Sequence, residues 1–120
     1  KKTLLNYITH NFPELLEIKN LKLIKDINNF DEIFSSNDLT LFLASWCVPC
    51  KEFLKNILEI SKNLPDIKIS IIDVDLINNK KLSDKDKIFS KKIIGVPITV
   101  TKRKEFIDGY KSIKQLMALL

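Results

Sequence analysis

The segment from Leu39 to Asp75 contains two apolar runs separated by a helical pattern. The first run, LTLFLA, is almost entirely apolar, which is typical of a strand buried on both faces. The second run, IKISIIDVD, is rich in β-branched residues and predicts another strand. The helical stripe between them consists of Phe53, Ile57, Ile60 and Leu64. Because a strand–helix–strand unit joins parallel strands whose faces are covered by helices, this segment restricts the chain to the α/β class.

The first twenty residues carry apolar side chains at helical spacing between Leu5 and Leu16, and Pro13 should interrupt that helix. We expect this stripe to pack on the rest of the chain, with docking of a partner as the alternative. The sequence thus predicts a helical extension at residues 1–20 and a domain at residues 21–120. Since the chain begins at Lys1 rather than Met, we also expect that residues ahead of it have been removed.

The remaining sequence predicts elements that complete one sheet. In chain order they are a strand in LKLIKDI, a helix in NNFDEIFSS capped by Asn28 or Asn29, a helix in LSDKDKIFSKK capped by Ser83 or Asp84, a hairpin of ITVT and EFIDGY, and a last helix with a Ser112–Gln115 capping box. The predicted order is a helix, then βαβαβα, then ββα. We therefore predict a central mixed sheet with helices on both faces.

Length and charge exclude several classes of protein. A chain of 120 residues suits one compact domain with one core. The net charge of +5 raises nucleic acid as a partner, but every basic residue except Arg103 is Lys, and the lysines are scattered. We therefore expect no nucleic-acid binding. The apolar runs are short, so no transmembrane segment is predicted, and the sequence shows no signal peptide.

Cys47 and Cys50 are the only cysteines, and three roles are open to them. A structural zinc site needs four nitrogen or sulfur ligands, and the chain offers only this pair and His10, so we expect no metal. His10 is instead expected on the surface of the first helix. A structural disulfide is disfavoured because so short a loop restricts the unfolded chain very little. A redox couple is the role that remains favoured.

The local sequence gives the two cysteines different surroundings. Val48 and Pro49 lie where the strand gives way to the helix, and Pro suits a first helical turn. Cys47 is thus expected at the helix N-terminus, where unpaired N–H groups stabilise a thiolate and lower the pKa of the thiol. Cys50, one turn later, would be close enough to attack a mixed disulfide formed at Cys47. Trp46 is expected to be partly exposed and to shield the sulfurs.

Four sequence elements, taken in order, resemble the thioredoxin family. FLASWCVPCKEF resembles the W-C-x-x-C active-site turn of that family, and IIGVPITV resembles the loop in which a cis-proline leads into a strand. IIDVD at the end of the central strand and Gly109 before the last helix are the third and fourth elements. The resemblance covers residues 21–120 and implies a thioredoxin fold with an extra amino-terminal helix.

The resemblance also implies a function, that of a thiol–disulfide oxidoreductase and most simply a reductase of protein disulfides. Cys47 would be the nucleophile and Cys50 the resolving thiol, while Pro97 would be a cis-proline facing the sulfurs. Val96 would offer its backbone to an extended substrate segment. The residues expected to contact the substrate are Trp46, Val48, Pro49, Val96 and Pro97. The alternative is a non-catalytic binding or chaperone-like module that uses the groove at Val96 and Pro97.

The expected partners follow from the same resemblance. They are protein disulfides or dithiols and an upstream electron donor of unknown identity. We expect a monomer and no cofactor. The Val-Pro dipeptide between the cysteines resembles that of membrane-anchored, thioredoxin-like reductases of bacterial envelopes. It favours an extracytoplasmic location, either the bacterial periplasm or the cell envelope, with the cytoplasm as the alternative.

Several positions depart from the family pattern. Leu41 replaces a buried Asp, Ile71 replaces its usual Lys neighbour, and Lys55 replaces a Pro that kinks the helix. Because the acid is thought to help deprotonate the buried thiol, proton handling should differ in this chain. The connection from Asp75 to Gly95 is also longer, the surplus being roughly INNKKLS. Of the carboxylates at the end of the central strand, Asp73 and Asp75 could accept protons, but we expect both to face water.

Overall fold

The structure is a computed structural model that describes residues 3–78 and 80–120. Its centre is a five-stranded sheet in the order β1-β3-β2-β4-β5. The strands are β1 (Leu21–Leu23), β2 (Leu39–Leu43), β3 (Ile69–Asp73), β4 (Ile98–Thr101) and β5 (Phe106–Asp108). β3 lies parallel to both β1 and β2, whereas β4 is antiparallel to β2 and β5 is antiparallel to β4. The predicted mixed sheet is confirmed.

The described residues form six α-helices and one 3-10 helix. They are α1 (Leu4–Asn11), the 3-10 helix (Pro13–Glu17), α2 (Phe30–Ser36), α3 (Val48–Asn63), α4 (Val74–Ile77), α5 (Asp84–Ser90) and α6 (Ile113–Ala118). The predicted caps are present: Asn29 caps α2, Ser83 caps α5, and Ser112 forms a capping box with Gln115 at α6. In the INNKKLS connection, Asn79 lies outside the described residues.

The central strand is shorter than the sequence predicts. β3 ends at Asp73, and the chain then turns at once into α4 instead of continuing as a strand to Asp75. The cause is the Asp73 carboxylate, whose Oδ1 accepts the backbone N–H of Asp75 at 3.0 Å and caps α4. A β-branched run therefore gives way to a helix where a capping side chain intervenes.

The sheet separates two hydrophobic layers. The α3 layer joins apolar side chains of α1, α3 and α6 to Leu41 and Ile71 of the sheet. The α2 layer contains Phe42 and Ile72 of the same strands together with apolar side chains of α2. Successive residues of β2 and β3 thus face opposite layers, as strand geometry requires. Every residue of both strands is buried, so the prediction of strands covered on both faces is confirmed.

The amino-terminal segment packs on the α3 layer. The Thr3 side chain caps α1, and Pro13 begins the 3-10 helix, so the predicted interruption is present. Leu4, Ile8 and Leu15 are buried in the same cluster as the residues of α3. The expected packing on the rest of the chain is therefore found for Ile8 and Leu15, whereas Leu5 and Leu16 at the two ends of the predicted stripe are exposed. The division of the chain at residue 20 stays a prediction.

Candidate active site

The turn between β2 and α3 places both cysteines at the carboxyl end of the parallel strands. Cys47 is the N-cap of α3, and Pro49 lies in its first turn. The Cys47 Sγ accepts the backbone N–H of Cys50 at 3.2 Å. None of the described residues in the first turn of α3 is acidic, and the sulfur lies at the positive end of the helix dipole. The local field therefore favours a thiolate at Cys47 when the pair is reduced.

Cys47 and Cys50 form a disulfide, with their Cα atoms 5.2 Å apart. Cys47 is 5% exposed and Cys50 is 0% exposed. Cys47 is therefore largely enclosed, yet it is the residue of the pair that solvent reaches.

Trp46 and Val48 form exposed apolar surface on either side of Cys47, with 64% and 69% of their surface accessible. The Trp46 Nε1–H donates to both carboxylate oxygens of Asp75, at 3.2 and 3.1 Å. Because Asp75 lies in α4, this short helix fixes the indole beside the cysteines. Exposed apolar surface of this kind is suited to contact with another protein. The contact of Trp46, Val48 and Pro49 with a substrate stays a prediction.

The Val96–Pro97 peptide bond is cis. Pro97 directly precedes Ile98, which is the register partner of Phe42 in β2. The bond therefore lies beside the carboxyl end of β2, from which the cysteine turn begins. Pro97 is buried and Val96 is half-buried, whereas Ile94 just before them is 82% exposed. The two predicted residues are thus brought to the same edge of the sheet as the cysteines, and their role toward a substrate stays a prediction.

Two features of this edge were missed by sequence reasoning. The first is the exposed side chain of Ile94, which the apolar pair ahead of Gly95 could have signalled. The second is the contact of the Lys51 Nζ with the Tyr7 ring, 5.0 Å from its centroid, which brings α1 against the residue after Cys50. Because Tyr7 and Lys51 are far apart in the chain, no local pattern indicates their contact.

Asp73 is buried, so the expectation that this carboxylate faces water is wrong. Its Oδ2 accepts the backbone N–H of Leu4 at 3.1 Å, while its Oδ1 binds Asp75 as described above. One carboxylate thus caps the start of both α1 and α4. The expectation fails because α1 covers the end of β3. Asp75 is itself half-buried and bound by Trp46.

The core side of the cysteines is apolar. Leu41 and Ile71 are register partners, and both are buried in the α3 layer with Cys50. The two positions at which the family carries Asp and Lys therefore hold a paired set of aliphatic side chains. α3 runs without interruption past Lys55, which forms an exposed ion pair with Glu52 at 3.4 Å.

The described residues offer little for a metal ion. His10 is exposed at the end of α1, as expected, with its Nδ1 2.7 Å from the carbonyl oxygen of Asn6. No group of three or more His, Cys, Asp or Glu side chains in the described part of the chain is arranged to hold a metal. Across residues 3–78 and 80–120, no helix combines the length and the hydropathy that a membrane span requires.

The thioredoxin family model matches residues 13–116. The chain belongs to the thioredoxin family. A search of curated proteins finds no match to this thioredoxin-family protein.

Solved structures of thioredoxins share its fold. A mutant thioredoxin from Halobacterium salinarum NRC-1 is 22% identical, with a TM-score of 0.61 over 85% of this chain and 88% of that one. Oxidised thioredoxin O1 from Arabidopsis thaliana is 24% identical, with a TM-score of 0.60 over 84% and 95% of the two chains. Oxidised thioredoxin from Plasmodium falciparum is 24% identical, with a TM-score of 0.56 over 82% and 93%. Family membership and the Cys47–Cys50 disulfide together support a thiol–disulfide oxidoreductase of protein disulfides.

Proposed function

We propose that this protein is a reductase of protein disulfides in which Cys47 attacks and Cys50 resolves. The observation that carries the proposal is the difference between the two cysteines. Cys47 lies at the N-terminus of α3 and retains solvent contact, whereas Cys50 is fully enclosed. The helix N-terminus stabilises a thiolate at the accessible position, and the thiolate is the attacking species.

The proposed reaction transfers two electrons to the substrate in two exchanges. The Cys47 thiolate attacks one sulfur of the substrate disulfide, forms a mixed disulfide and releases the other sulfur as a thiolate. The Cys50 thiol loses its proton and attacks the Cys47 sulfur, which forms the Cys47–Cys50 disulfide and releases the second substrate thiol. A dithiol donor of unknown identity then returns the protein to its reduced form. The substrate is thereby reduced and the cysteine pair oxidised.

The substrate would lie across the edge of the sheet that carries the cysteines. Trp46, Val48 and Pro49 would contact it from the cysteine turn. Val96, next to the buried Pro97, would offer backbone hydrogen bonds to an extended segment. The exposed side chains of Trp46, Val48 and Ile94 support this placement because they offer apolar surface to a protein partner.

Trapping of substrates tests the assignment of the two cysteines. Cys50→Ser should accumulate stable mixed disulfides with protein partners, because the resolving step is lost. Cys47→Ser should trap few, because Cys50 is enclosed. The products are compared by non-reducing gel electrophoresis after acid quenching, with the double Ser variant as the control. Equal trapping by the two single variants would contradict the assignment.

A second function is favoured by the same exposed apolar side chains, namely a binding or chaperone-like module that uses the Val96–Pro97 groove without redox turnover. Reduction of insulin by dithiothreitol separates the two. We expect the wild-type protein to accelerate the reaction and the Cys47→Ser variant to give the background rate. A wild-type rate equal to the background would favour the binding module.

We propose that the protein acts as a monomer outside the cytoplasm, a location favoured by the Val-Pro dipeptide between the cysteines.

We also propose that the cysteine pair works in the reducing direction. Three features of the sequence support the direction: Pro49 between the cysteines, the aliphatic Val96 before Pro97, and a His-free motif. We predict that the reduction potential of the Cys47–Cys50 disulfide lies nearer thioredoxin's roughly −270 mV than the roughly −120 mV of a strongly oxidising protein disulfide. Because Leu41 and Ile71 leave an apolar interior behind Cys50, deprotonation of that thiol should be slower than in a housekeeping thioredoxin. Equilibration against glutathione buffers measures the potential, and reduction at the oxidising end would contradict the proposed direction.

A further inference from the structure

A concave surface runs along α2 and β1, from the loop between them to the start of β3. It is a groove of about 940 Å³ between α2, β1 and the beginning of β3. It opens on the α2 side of the sheet, whereas the cysteines lie on the α3 side. We name it the α2 groove. A cavity of this volume is large enough for a small organic molecule.

Two buried hydroxyl groups lie at or beside the floor of the α2 groove. Ser70 of β3 lines the groove and is fully buried, and its Oγ has no hydrogen-bond partner among the described residues. Thr40 of β2 is its register partner, and the Thr40 Oγ1 is likewise buried and unpartnered within the described chain. An unpaired buried hydroxyl destabilises the folded state. The floor of the groove therefore offers hydrogen-bonding capacity that the protein itself does not use.

Positive charge lies next to these hydroxyls. Lys22 of β1 is the other register partner of Ser70, so Lys22, Ser70 and Thr40 form a polar row across three adjacent strands. Lys19, Lys22 and Lys68 all line the α2 groove, and none of them forms an ion pair with a described residue.

Two of the three acidic side chains of the same lining have a partner within the described chain. The Asp26 carboxylate binds the Lys80 Nζ at 3.0 Å, and the Glu32 carboxylate accepts the Asn29 side-chain amide at 3.2 Å. Glu32 and Asp66 are the acidic lining residues that form no ion pair with the described residues. Three ammonium groups and two carboxylates of the lining lack an ion-pair partner among the described residues, so the groove keeps a small excess of positive charge.

We propose that the α2 groove binds a small organic anion, a carboxylate or a phosphate monoester, at a site separate from the redox centre. The anionic group lies between the side chains of the register partners Lys22 and Ser70, because an ammonium group and a hydroxyl donor together match the oxygens of either anion. The apolar part of the ligand lies against Ile24 and Ile33, which are half-buried and line the same groove. This site does not depend on the proposed redox function.

Titrations followed by amide NMR chemical shifts test the site, with phenyl phosphate and phenylacetate as the probes. Both should give saturable shifts at Ser70 and Ile33. Lys22→Gln should weaken binding about tenfold, the loss expected for a charge-assisted contact. Ser70→Ala should weaken it by a smaller factor. The matched control is Lys114→Gln on α6, an exposed lysine that does not line the groove, and it should bind as the wild type does.

Two further probes and one stability measurement make the test decisive. Benzyl alcohol should give no saturable shift, and inorganic phosphate should bind more weakly than phenyl phosphate. Without ligand, Ser70→Ala should be at least as heat-stable as the wild type, because it removes an unpaired hydroxyl. The proposal is overturned by linear shifts with both anions, by equal affinities of the Lys22 and Lys114 variants, by equal binding of benzyl alcohol, or by phosphate binding as well as phenyl phosphate.

Discussion

The two hydrophobic layers of this protein are built from different kinds of side chain. The α2 layer is aromatic, with ring centroids 5.3–6.3 Å apart among Phe30, Phe34, Phe42, Phe89 and Phe106. In the described part of the α3 layer, Phe53 is the one fully buried aromatic residue, and aliphatic side chains surround the cysteines. The largest interlocking side chains thus lie on the side of the sheet away from the disulfide. The comparison indicates that stability and thiol chemistry can be perturbed separately.

Each layer also contains one buried carboxylate that caps helices. In the α3 layer Asp73 caps α1 and α4. In the α2 layer Asp86 of α5 caps α2, its two oxygens accepting the backbone N–H groups of Asn29 and Phe30, each at 2.9 Å. The two groups are chemically alike, but only Asp73 supports the short helix that holds Trp46 through Asp75. Their replacement should therefore differ in its effect on activity.

The largest expected effect is that of Phe34→Ala. Phe34 is fully buried and contacts four other rings, so its truncation should lower the free energy of unfolding by about 3–5 kcal/mol. Urea unfolding measures the loss, and the insulin-reduction rate per folded molecule should stay unchanged. Phe34→Leu, which keeps most of the volume, is the milder control and keeps the test open if the Ala variant fails to fold. A lower rate per folded molecule would show that packing in the α2 layer also affects the thiol chemistry in the α3 layer.

The next effect compares Asp73→Ala with Asp86→Ala. Each removes a buried acceptor of two backbone N–H groups, so each should cost about 1–3 kcal/mol of unfolding free energy. Only Asp73→Ala should also slow insulin reduction, because α4 then loses its cap and Trp46 its fixed partner. The free energy of unfolding and the rate of insulin reduction are measured for both variants. An equal loss of activity in the two variants would contradict a specific effect of α4 on the cysteine site.

The smallest expected effect concerns pH and the partly exposed carboxylate of Asp31 in α2. Hydrogen bonds first from Lys104 and then from Lys85 hold the pKa of this carboxyl below its ordinary value of 3.8. Because the folded-state pKa is depressed, the ionised group stabilises the fold above the unfolded pKa, and that contribution is lost as the pH falls through the folded pKa. Solvent screens the pair, so the contribution is slight. In an NMR titration the midpoint of Asp31 should rise toward 3.8 in Lys104→Ala, and an unchanged midpoint would rule out this cause.

Much of the fold could be predicted because its signals are local. The buried strands, the caps at Asn29, Ser83 and Ser112, and the helix that begins after Cys47 each follow from adjacent residues. The cis bond before Pro97 was implied by the family resemblance and is present.

The features that could not be predicted depend on residues distant in the chain. Asp73 is buried because α1 returns to the end of β3, and the pairing of Asp73 with Leu4 has no counterpart in the local pattern. The same holds for Lys51 and Tyr7. The α2 groove was equally hidden, since Ser70 appears in the sequence only as a small polar residue within a strand.

The packing of α1 determines which residues a chimaera with another protein must contain. The family match begins at residue 13, yet Leu4 and Ile8 are buried among the residues of the cysteine layer. A chimaera that took only the matched residues would leave Asp73 without the Leu4 N–H and would open apolar surface of α3 to solvent. A segment that can be transplanted intact must therefore include α1 as well as the residues matched by the family model. Through Tyr7, α1 lies against the residue that follows Cys50.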